Sequence, residues 1–249
     1  MGRKGERSHL KRLASPAFWP IPRKQKVWVV KPSPGPHPVD RSIPLLIIVR
    51  DLLGLAQTEK EASIIISEGK VKVDGRVRKD KRFPVGLMDV VEILDVNKAY
   101  RVVPSTHRVF SFQPINEEEK MFKLCRIENK TTVKGGKFQL NLHDGKNILL
   151  RTEEPETNGY KTLDVIKINL QNNEIMEHFK LEKGMYAVII GGKNIGRHGT
   201  ITEIEENPYK KRRLKTVKIK GTDGMEYNTI LDYVFVVGKE NPVISLPGG

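Results

Sequence analysis

Hydrophobic and polar residues follow three different patterns along the chain, and each pattern predicts a different kind of element. Between Leu45 and Leu53, apolar residues recur at i, i+3, i+4, i+7 and i+8, which predicts a helix with one apolar face. Thr58, followed three positions later by Glu61, forms a capping-box pattern that predicts the start of a second, shorter helix. From residue 95 onward, apolar residues occur in short runs separated by turn residues, which is typical of β-strands.

The two predicted helices are followed by a hairpin that is rich in basic residues. Lysine and valine alternate over 70–73, Asp74-Gly75 is a favoured two-residue turn, and arginine and valine alternate over 76–78. We expect the basic side chains of both strands to share one face, which points away from the valines. Such a face suits the phosphate backbone of a nucleic acid, and a hairpin that is merely solvated explains the pattern equally well.

Charge and composition strengthen the nucleic-acid interpretation. The chain has 44 Lys+Arg against 30 Asp+Glu, a net charge of +14, which predicts a polyanionic partner and favours nucleic acid over a membrane surface. The sequence has no run of roughly 18 apolar residues, so no transmembrane helix is predicted.

The first 41 residues combine much of this positive charge with prolines that block regular structure. Their apolar residues are too few to offset a backbone entropy of about 1–2 kcal/mol per residue. We therefore expect an extended arm that becomes ordered only against a partner. Trp19 and Trp28 within this arm either stack on nucleic-acid bases or pack against the protein's own surface.

The strand patterns beyond the hairpin predict two β units. Residues 95–172 predict a small central β domain, and residues 173–237 predict the five strands of an SH3-like barrel. Glycines at 191, 196 and 199 allow the barrel backbone to turn sharply and to approach another surface closely. Residues 238–249 are expected to be an unstructured tail.

The predicted fold class is therefore α+β and mostly β. The predicted units are a basic extended arm (1–41), a small helix-helix-hairpin RNA-binding domain (42–94), the central β domain (95–172), the C-terminal SH3-like barrel (173–237) and the tail (238–249).

Several motifs resemble known families. The run Ile65-Ile66-x-x-Gly69-x-Val71-x-Val73-Asp74-Gly75 resembles the RNA-binding domain of ribosomal protein S-four, and the barrel glycines resemble the KOW motif of ribosomal and transcription-elongation proteins. The arm motifs His9-Leu10-Lys11-Arg12-Leu13 and Pro34-Gly35-Pro36-His37, with Lys123-Leu124-Cys125-Arg126-Ile127, resemble the S-four-e family of the small ribosomal subunit. This second resemblance covers almost the whole chain, and it implies a protein that contacts small-subunit rRNA.

The candidate RNA-binding residues lie in the arm, the hairpin domain, the glycine-rich barrel loop and a basic loop near residue 210. They are Arg3, Lys4, Arg7, Lys11, Arg12, Trp19, Arg23, Lys24, Lys26, Lys60, Lys70, Lys72, Arg76, Arg78, Lys79, Lys81, Arg82, Lys193, Asn194, Arg197, His198, Lys210, Lys211, Arg212 and Arg213. The glycines expected at structural turns are Gly69, Gly75, Gly86, Gly191, Gly196 and Gly199. Relatives of the hairpin domain often carry basic residues where this chain has Ser63 and Ile64, so phosphate contacts are expected from Lys60 and the hairpin.

No motif in the sequence predicts a catalytic residue, a metal site or a cofactor. Cys125 is the single cysteine, the histidines do not pair at metal-ligand spacing, and the Gly-Lys pairs lack the rest of a phosphate-binding loop. We therefore expect no enzyme, but a structural constituent of the small ribosomal subunit that supports translation.

The expected partners are the rRNA of the small subunit and neighbouring small-subunit proteins, with no membrane and no small-molecule substrate. The expected location is on the ribosome, in the cytoplasm. Two alternatives remain: an RNA-modifying enzyme of the pseudouridine synthase type, and a transcription-elongation factor with a KOW domain.

Overall fold

The computed structural model describes residues 9–106, 109–150, 159–205, 207 and 209–247. Within these ranges the protein is mostly β, with three five-stranded sheets, two two-stranded ribbons and short helices. All strand pairings among the described residues are antiparallel.

The strands are numbered along the chain. They are β1 Leu10–Lys11, β2 Trp28–Val29, β3 Ser42–Pro44, β4 Val71–Val73, β5 Arg76–Val77, β6 Pro84–Gly86, β7 Val90–Ile93, β8 Lys98–Val103, β9 Ser111–Ile115, β10 Phe122–Thr132, β11 Phe138–Leu142, β12 Asn147–Leu150, β13 Val165–Asn169, β14 Ile175–Phe179, β15 Tyr186–Ile189, β16 His198–Ile204, β17 Thr216–Gly221, β18 Glu226–Ile230 and β19 Val234–Gly238. The helices are α1 Leu45–Ile47, which continues as a π-helix over Ile48–Leu52, and α2 Glu59–Ser67. Single 3₁₀ turns lie at Arg12–Ala14, Val39–Arg41, Glu119–Met121, Arg212–Leu214 and Leu231–Tyr233.

The first large sheet is built around the hairpin that Asp74-Gly75 predicts. Both turn residues have positive φ, 51° and 72°, as a two-residue turn of this kind requires. The strand order is β5-β4-β7-β8-β9, so the sheet continues to Ile115 and does not stop at the expected boundary at residue 94. We call residues 42–115 the helix–hairpin unit.

Both predicted helices form and pack against this sheet. The second has the predicted capping box, in which the Glu61 N–H donates to Thr58 Oγ1 and the Thr58 N–H donates to the Glu61 carboxylate, each at 3.3 Å. The first helix is α-helical for one turn only, and then widens into the π-helix. The apolar faces of both helices join the valines of β4 in one core.

The other two sheets form a central unit (residues 119–181) and a C-terminal unit (residues 184–238), which we call the barrel after its predicted fold. The central sheet has the order β12-β11-β10-β13-β14, and the barrel sheet has the order β18-β17-β16-β15-β19. One face of the central sheet shares a core with the barrel, and the opposite face has a core of its own. Residues Phe122 to Ile127 of β10 are consequently buried without interruption.

The arm, from His9 onward, is ordered against the protein, which corrects the expectation that it orders only against a partner. Trp19 is 2% exposed, and its indole N–H donates to the Ser42 carbonyl at 2.8 Å. The buried Arg12 guanidinium donates to the Ile21 carbonyl at 2.6 and 2.8 Å. Apolar residues placed between the prolines thus enter the core of the helix–hairpin unit. Because the side chains of Trp19 and Arg12 are buried, they are not available at the surface. This corrects their prediction as RNA contacts.

The tail is also ordered over its described residues, contrary to expectation. The Val243 N–H donates to the Val237 carbonyl at 2.9 Å, and Ile244 is buried in the core shared by barrel and central sheet. The Ser245 hydroxyl donates to the Glu119 carboxylate at 2.6 Å. This segment therefore connects the barrel to the central unit.

The two tryptophans of the arm give a matched test of its packing. Replacing Trp19 by Ala removes a fully buried aromatic ring, and we expect a loss of about 3–5 kcal/mol in the free energy of unfolding. Replacing Trp28 by Ala, at a side chain that is 56% exposed, is expected to cost less than about 1 kcal/mol. Urea unfolding followed by far-UV circular dichroism measures both. Equal, small losses for the two variants would show that the arm does not pack on the core.

Candidate nucleic-acid interface

The basic residues of the hairpin do not share one face. β4 and β5 pair Lys72 with Val77 and Val73 with Arg76, and directly paired residues project to the same side of a sheet. Lys72 therefore lies on one face, and Arg76 lies on the other face together with the buried valines of β4. The two-residue turn fixes this register, so the expectation of a single basic face is wrong.

Arg76 and Arg78 line a cleft between the hairpin and the central unit. Its volume is about 210 Å³, and Lys146 lines it from the central unit. The Arg78 guanidinium lies 4.3 Å from the centre of the Phe83 ring, and its Nε has no hydrogen-bond partner among the described residues. We call this the hairpin cleft. The cleft is thus lined by three cations, Arg76, Arg78 and Lys146, and carboxylates form its floor.

The floor of the hairpin cleft is a buried ion network centred on Lys123. The Lys123 Nζ lies 2.7 Å from Asp74, 2.5 Å from Asp89 and 3.2 Å from Asp144. Burial alone would lower the pKa of Lys123, but the three carboxylates raise it well above its ordinary value. Asp74 and Asp89 belong to the helix–hairpin unit, whereas Lys123 and Asp144 belong to the central unit. One ammonium group therefore joins the two units.

Two acids of the network, Asp89 and Asp144, have lowered pKa values because of these neighbours. Burial would raise the pKa of Asp144, but the charge of Lys123 lowers it to about 2. Burial likewise opposes ionisation of Asp89, whose pKa His37 and Lys123 hold well below its usual range. The His37 Nε2 lies 3.0 Å from both Asp89 oxygens, so the arm is part of the same network.

A second basic cleft lies between the arm and the helix–hairpin unit, and we call it the arm cleft. Its volume is about 480 Å³. The cationic side chains that line it are Lys26, Lys31, Arg50, Lys81 and Arg82. In the described part of the chain Glu59 is the single acid of this lining, and it pairs with Lys81 at 2.8 Å. The hydrogen bond from Lys81 lowers the pKa of Glu59. Trp28 also lines the cleft, with 56% of its surface exposed.

The glycine-rich barrel loop lies against protein. A Cβ atom on Gly196 would lie 2.2 Å from the Ser105 carbonyl carbon, so only glycine permits this contact between the barrel and the segment after β8. Gly191 lies against the Tyr233 ring. The close approach predicted from these glycines therefore occurs within the protein.

Three of the four candidate contacts in this loop have protein partners. His198 is buried and lies 2.8 Å from the Tyr186 hydroxyl, which corrects its assignment as an RNA contact. Arg197 pairs with Asp223 at 2.9 Å. Asn194 donates to a backbone carbonyl of β18 at 3.3 Å, and Lys193 is exposed.

The basic loop near residue 210 contacts both the barrel and the central unit. The Arg213 Nη1 lies 2.8 Å from both Glu128 and Asp232, and the Arg212 Nη2 lies 3.4 Å from Asp164. These two arginines therefore attach the loop to the central sheet. Lys210 pairs with a barrel glutamate at 2.9 Å, and Lys211 is exposed.

The remaining candidate residues differ in exposure. The exposed ones are Lys11, Arg23, Lys24, Lys26, Lys60, Arg76 and Lys79. The half-buried ones are Lys70, Lys72, Arg78, Lys81 and Arg82. Of the half-buried ones, Lys70 pairs with Glu68 at 2.9 Å and with Asp95 at 3.1 Å. Arg3, Lys4 and Arg7 lie outside the described residues.

Two cations of the arm cleft, Lys31 and Arg50, are missing from the predicted contacts. The signal for Arg50 is its position, since it interrupts the apolar run of the first helix.

Among the described residues, no group of three or more His, Cys, Asp or Glu is arranged to hold a metal ion. The described helices are all too short or too polar to cross a membrane.

Comparison with known proteins gives matches along the whole chain. The model of ribosomal family S4e matches residues 96–175, that of the RS4NT domain matches residues 4–40, and that of the S4 domain matches residues 44–91. Small ribosomal subunit protein eS4 of Desulfurococcus amylolyticus is 50% identical over 252 residues, covering 100% of this chain and 99% of that protein. The protein of the same name from Ignicoccus hospitalis is 51% identical, covering 98% of this chain and 97% of that protein.

A solved structure is similar as well. The crystal structure of the 30S ribosomal protein S4e from Thermoplasma acidophilum aligns with a TM-score of 0.66 at 32% sequence identity. The alignment covers 80% of this chain and 96% of that chain.

The Lys123 network predicts a pH-dependent effect of substitution. Replacing Lys123 by Met leaves three carboxylates without their shared partner, and we expect a loss of about 3–5 kcal/mol in unfolding free energy at neutral pH. Asp144 has a pKa of about 2 in the folded protein against an ordinary 3.8, so it stabilises the fold above pH 3.8 and this contribution disappears as the pH falls towards 2. The penalty of the substitution is therefore expected to shrink on acidification.

The measurement is urea unfolding of wild type and variant at neutral pH and at a pH between 2 and 3.8, inside the window over which Asp144 becomes protonated. Lys146→Met is the matched control, because its Nζ is 3.7 Å from Asp144 and its side chain is 35% exposed. We expect it to cost less than about 1 kcal/mol at either pH. A Lys123→Met variant as stable as this control would contradict a network that joins the two units.

Proposed function

The chain belongs to the ribosomal family S4e, and from this premise we propose that it is a structural constituent of the small ribosomal subunit that binds rRNA. The observation that carries the proposal is the identity of 50–51% to proteins named small ribosomal subunit protein eS4, over nearly the full length of both chains. The resemblance drawn from the arm and hairpin motifs is thereby confirmed. The S4 domain match over residues 44–91 is consistent with RNA binding.

The distribution of charge supports binding through phosphates. Acidic residues satisfy many of the inward-facing cations, as at Lys123 and Arg213, whereas exposed cations remain on the arm and at the hairpin tip. Lysine and arginine contacts to phosphates supply affinity without reading sequence, and double-stranded RNA is recognised mainly by shape. We propose that the arm, the helix–hairpin unit, the central unit and the barrel act as the domains of this protein, with the first two making most contacts to rRNA.

We propose further that the protein has no catalytic role. A pseudouridine synthase would share the hairpin domain, and an elongation factor would share the barrel motif, but the full-length relatives match the arm, hairpin, central and barrel segments together. The partners that follow are small-subunit rRNA and neighbouring small-subunit proteins. The corresponding location is the cytoplasmic ribosome.

Sedimentation tests the assignment to the small subunit. An epitope-tagged chain expressed in its own cells is expected to travel with small subunits and assembled ribosomes through a sucrose gradient at high salt. Recovery with RNA polymerase, or at the top of the gradient in cells with abundant ribosomes, would contradict the proposal.

Salt dependence tests which cations contact phosphate. Removing two phosphate contacts is expected to reduce the slope of log K against log salt by about 1.4–1.8. We expect this change for Lys24→Ala/Lys26→Ala in the arm and for Arg76→Ala/Lys79→Ala in the hairpin, measured on full-length small-subunit rRNA. Point substitutions are required because truncating the arm would also remove the buried Trp19.

The matched control for these variants is Lys134→Ala/Lys137→Ala. Both lysines are exposed, in the turn between β10 and β11 of the central unit. We expect this pair to leave the slope unchanged. A control pair that lowers the slope as much as the arm and hairpin pairs would show that affinity follows net charge alone.

A further inference from the structure

The hairpin cleft contains two arginines whose hydrogen-bond donors are unused. Arg76 is exposed and Arg78 is half-buried, and both line the cleft. Neither guanidinium makes an ion pair or a side-chain hydrogen bond with the described part of the chain, and the Nε of Arg78 is buried without an acceptor. Because the great majority of buried polar atoms have a hydrogen-bond partner, this exception calls for an explanation.

Arg78 is held in place by packing. Its guanidinium lies over the Phe83 ring, 4.3 Å from the ring centre, in a cation–π contact that uses no hydrogen bond. Its backbone N–H donates to the Val71 carbonyl at 3.0 Å, so the pairing with β4 continues past the end of β5. The side chain is therefore positioned by the protein while its donors remain available. A guanidinium presents these donors as a planar fork that matches the oxygens of a phosphate.

The acids on the floor of the cleft cannot serve as partners for Arg78. Each of the six carboxylate oxygens of Asp74, Asp89 and Asp144 lies within 3.2 Å of the Lys123 ammonium or of a backbone N–H. These acceptors are therefore already occupied. The groups of the cleft that still lack partners are donors, so a ligand that fits it must bring acceptors.

The central unit supplies a further donor from the other side of the cleft. The Lys146 Nζ is 3.7 Å from Asp144, too far for a good hydrogen bond, and the side chain is 35% exposed. Pro36 of the arm also lines the cleft. The volume of about 210 Å³ is below the roughly 300–1,000 Å³ that is usual for small-ligand sites. A single phosphate group suits this space better than a nucleoside.

The charge of the cleft favours recognition by hydrogen bonds over long-range attraction. Its lining holds three cations and three acids, and the buried Lys123 adds a fourth cation, which leaves a formal charge of +1 with histidine counted as neutral. An excess this small does not concentrate anions by itself. An acceptor with several oxygens would be selected by the unused donors of Arg78 and Lys146.

We propose that the hairpin cleft binds one backbone phosphate of rRNA, held between the Arg78 guanidinium and the Lys146 ammonium. This inference rests on the proposed function and adds to it a phosphate site that two units build together. Arg76 keeps the separate phosphate contact proposed above. RNA bound at the cleft would bridge from outside the same two units that Lys123 joins from inside.

A double-mutant cycle on full-length small-subunit rRNA tests the shared phosphate. Arg78→Ala and Lys146→Met are each expected to weaken binding about 10- to 100-fold, the loss typical of hydrogen bonds to a charged group. The double variant is expected to lose much less than the product of the two factors, because both side chains hold one group. Its salt slope should fall by about 0.7–0.9, the value for one phosphate.

Two further variants keep the cycle decisive. Arg78→Lys retains the charge and loses the fork, so we expect weaker binding at an unchanged salt slope. If Arg78→Ala lowers the melting temperature, Arg78→Lys replaces it in the cycle. Lys137→Ala is the matched control for Lys146, since this exposed lysine of the central unit lies outside the lining. It should leave affinity unchanged alone and should not alter the effect of Arg78→Ala.

Three results would overturn the inference. Unchanged rRNA affinity for Arg78→Ala and Lys146→Met would show that the cleft takes no phosphate. Multiplicative losses with a slope change of about 1.4–1.8 would show two separate phosphates. Unchanged rRNA affinity combined with loss of a neighbouring ribosomal protein from assembled subunits would assign the cleft to a protein carboxylate. Wild-type binding to rRNA persists in all three cases, whereas failure of the proposed function itself appears as no binding of wild type.

Discussion

One buried ammonium group, that of Lys123, joins the helix–hairpin unit to the central unit. Removing an ion from water costs several kcal/mol, and this cost is offset only when close partners of opposite charge surround it. Carboxylates from both units supply those partners, at 2.5 to 3.2 Å. His37 brings the arm into the same network through Asp89. The network is complete only when all three segments are in place, and the hairpin cleft then has a defined floor.

Positive charge has two separate roles in this protein. Arg12 donates hydrogen bonds within the arm, to the Ile21 carbonyl, whereas Arg126 and Arg213 donate to carbonyls across the contact between the central unit and the barrel. Cations on the arm and the hairpin tip remain exposed. A net charge of +14 therefore overstates how many basic residues are exposed and available to a polyanionic partner. Distinguishing the two roles requires knowing which arginines lie between sheets, which depends on contacts distant in sequence.

Features set by near neighbours are predictable from the sequence, and features set by distant residues are not. The capping box at Thr58 and the turn at Asp74-Gly75 follow from residues within a few positions of one another, and both are present. The face on which each hairpin residue lies was also predictable from the sequence. A two-residue turn at Asp74-Gly75 pairs Val73 with Arg76, independently of the rest of the chain. The burial of Trp19 depends on residues of the following helices. The burial of Lys123 likewise depends on distant residues, because both faces of β10 are covered from Phe122 to Ile127.

The ion network also orders events during synthesis of the chain. His37, Asp74 and Asp89 leave the exit tunnel before Lys123, and Asp144 follows later still. A growing chain that ends between Asp89 and Lys123 therefore lacks the ammonium group that Asp74 and Asp89 share in the folded protein. Contacts of such long sequence separation slow folding and leave intermediates with unsatisfied surfaces.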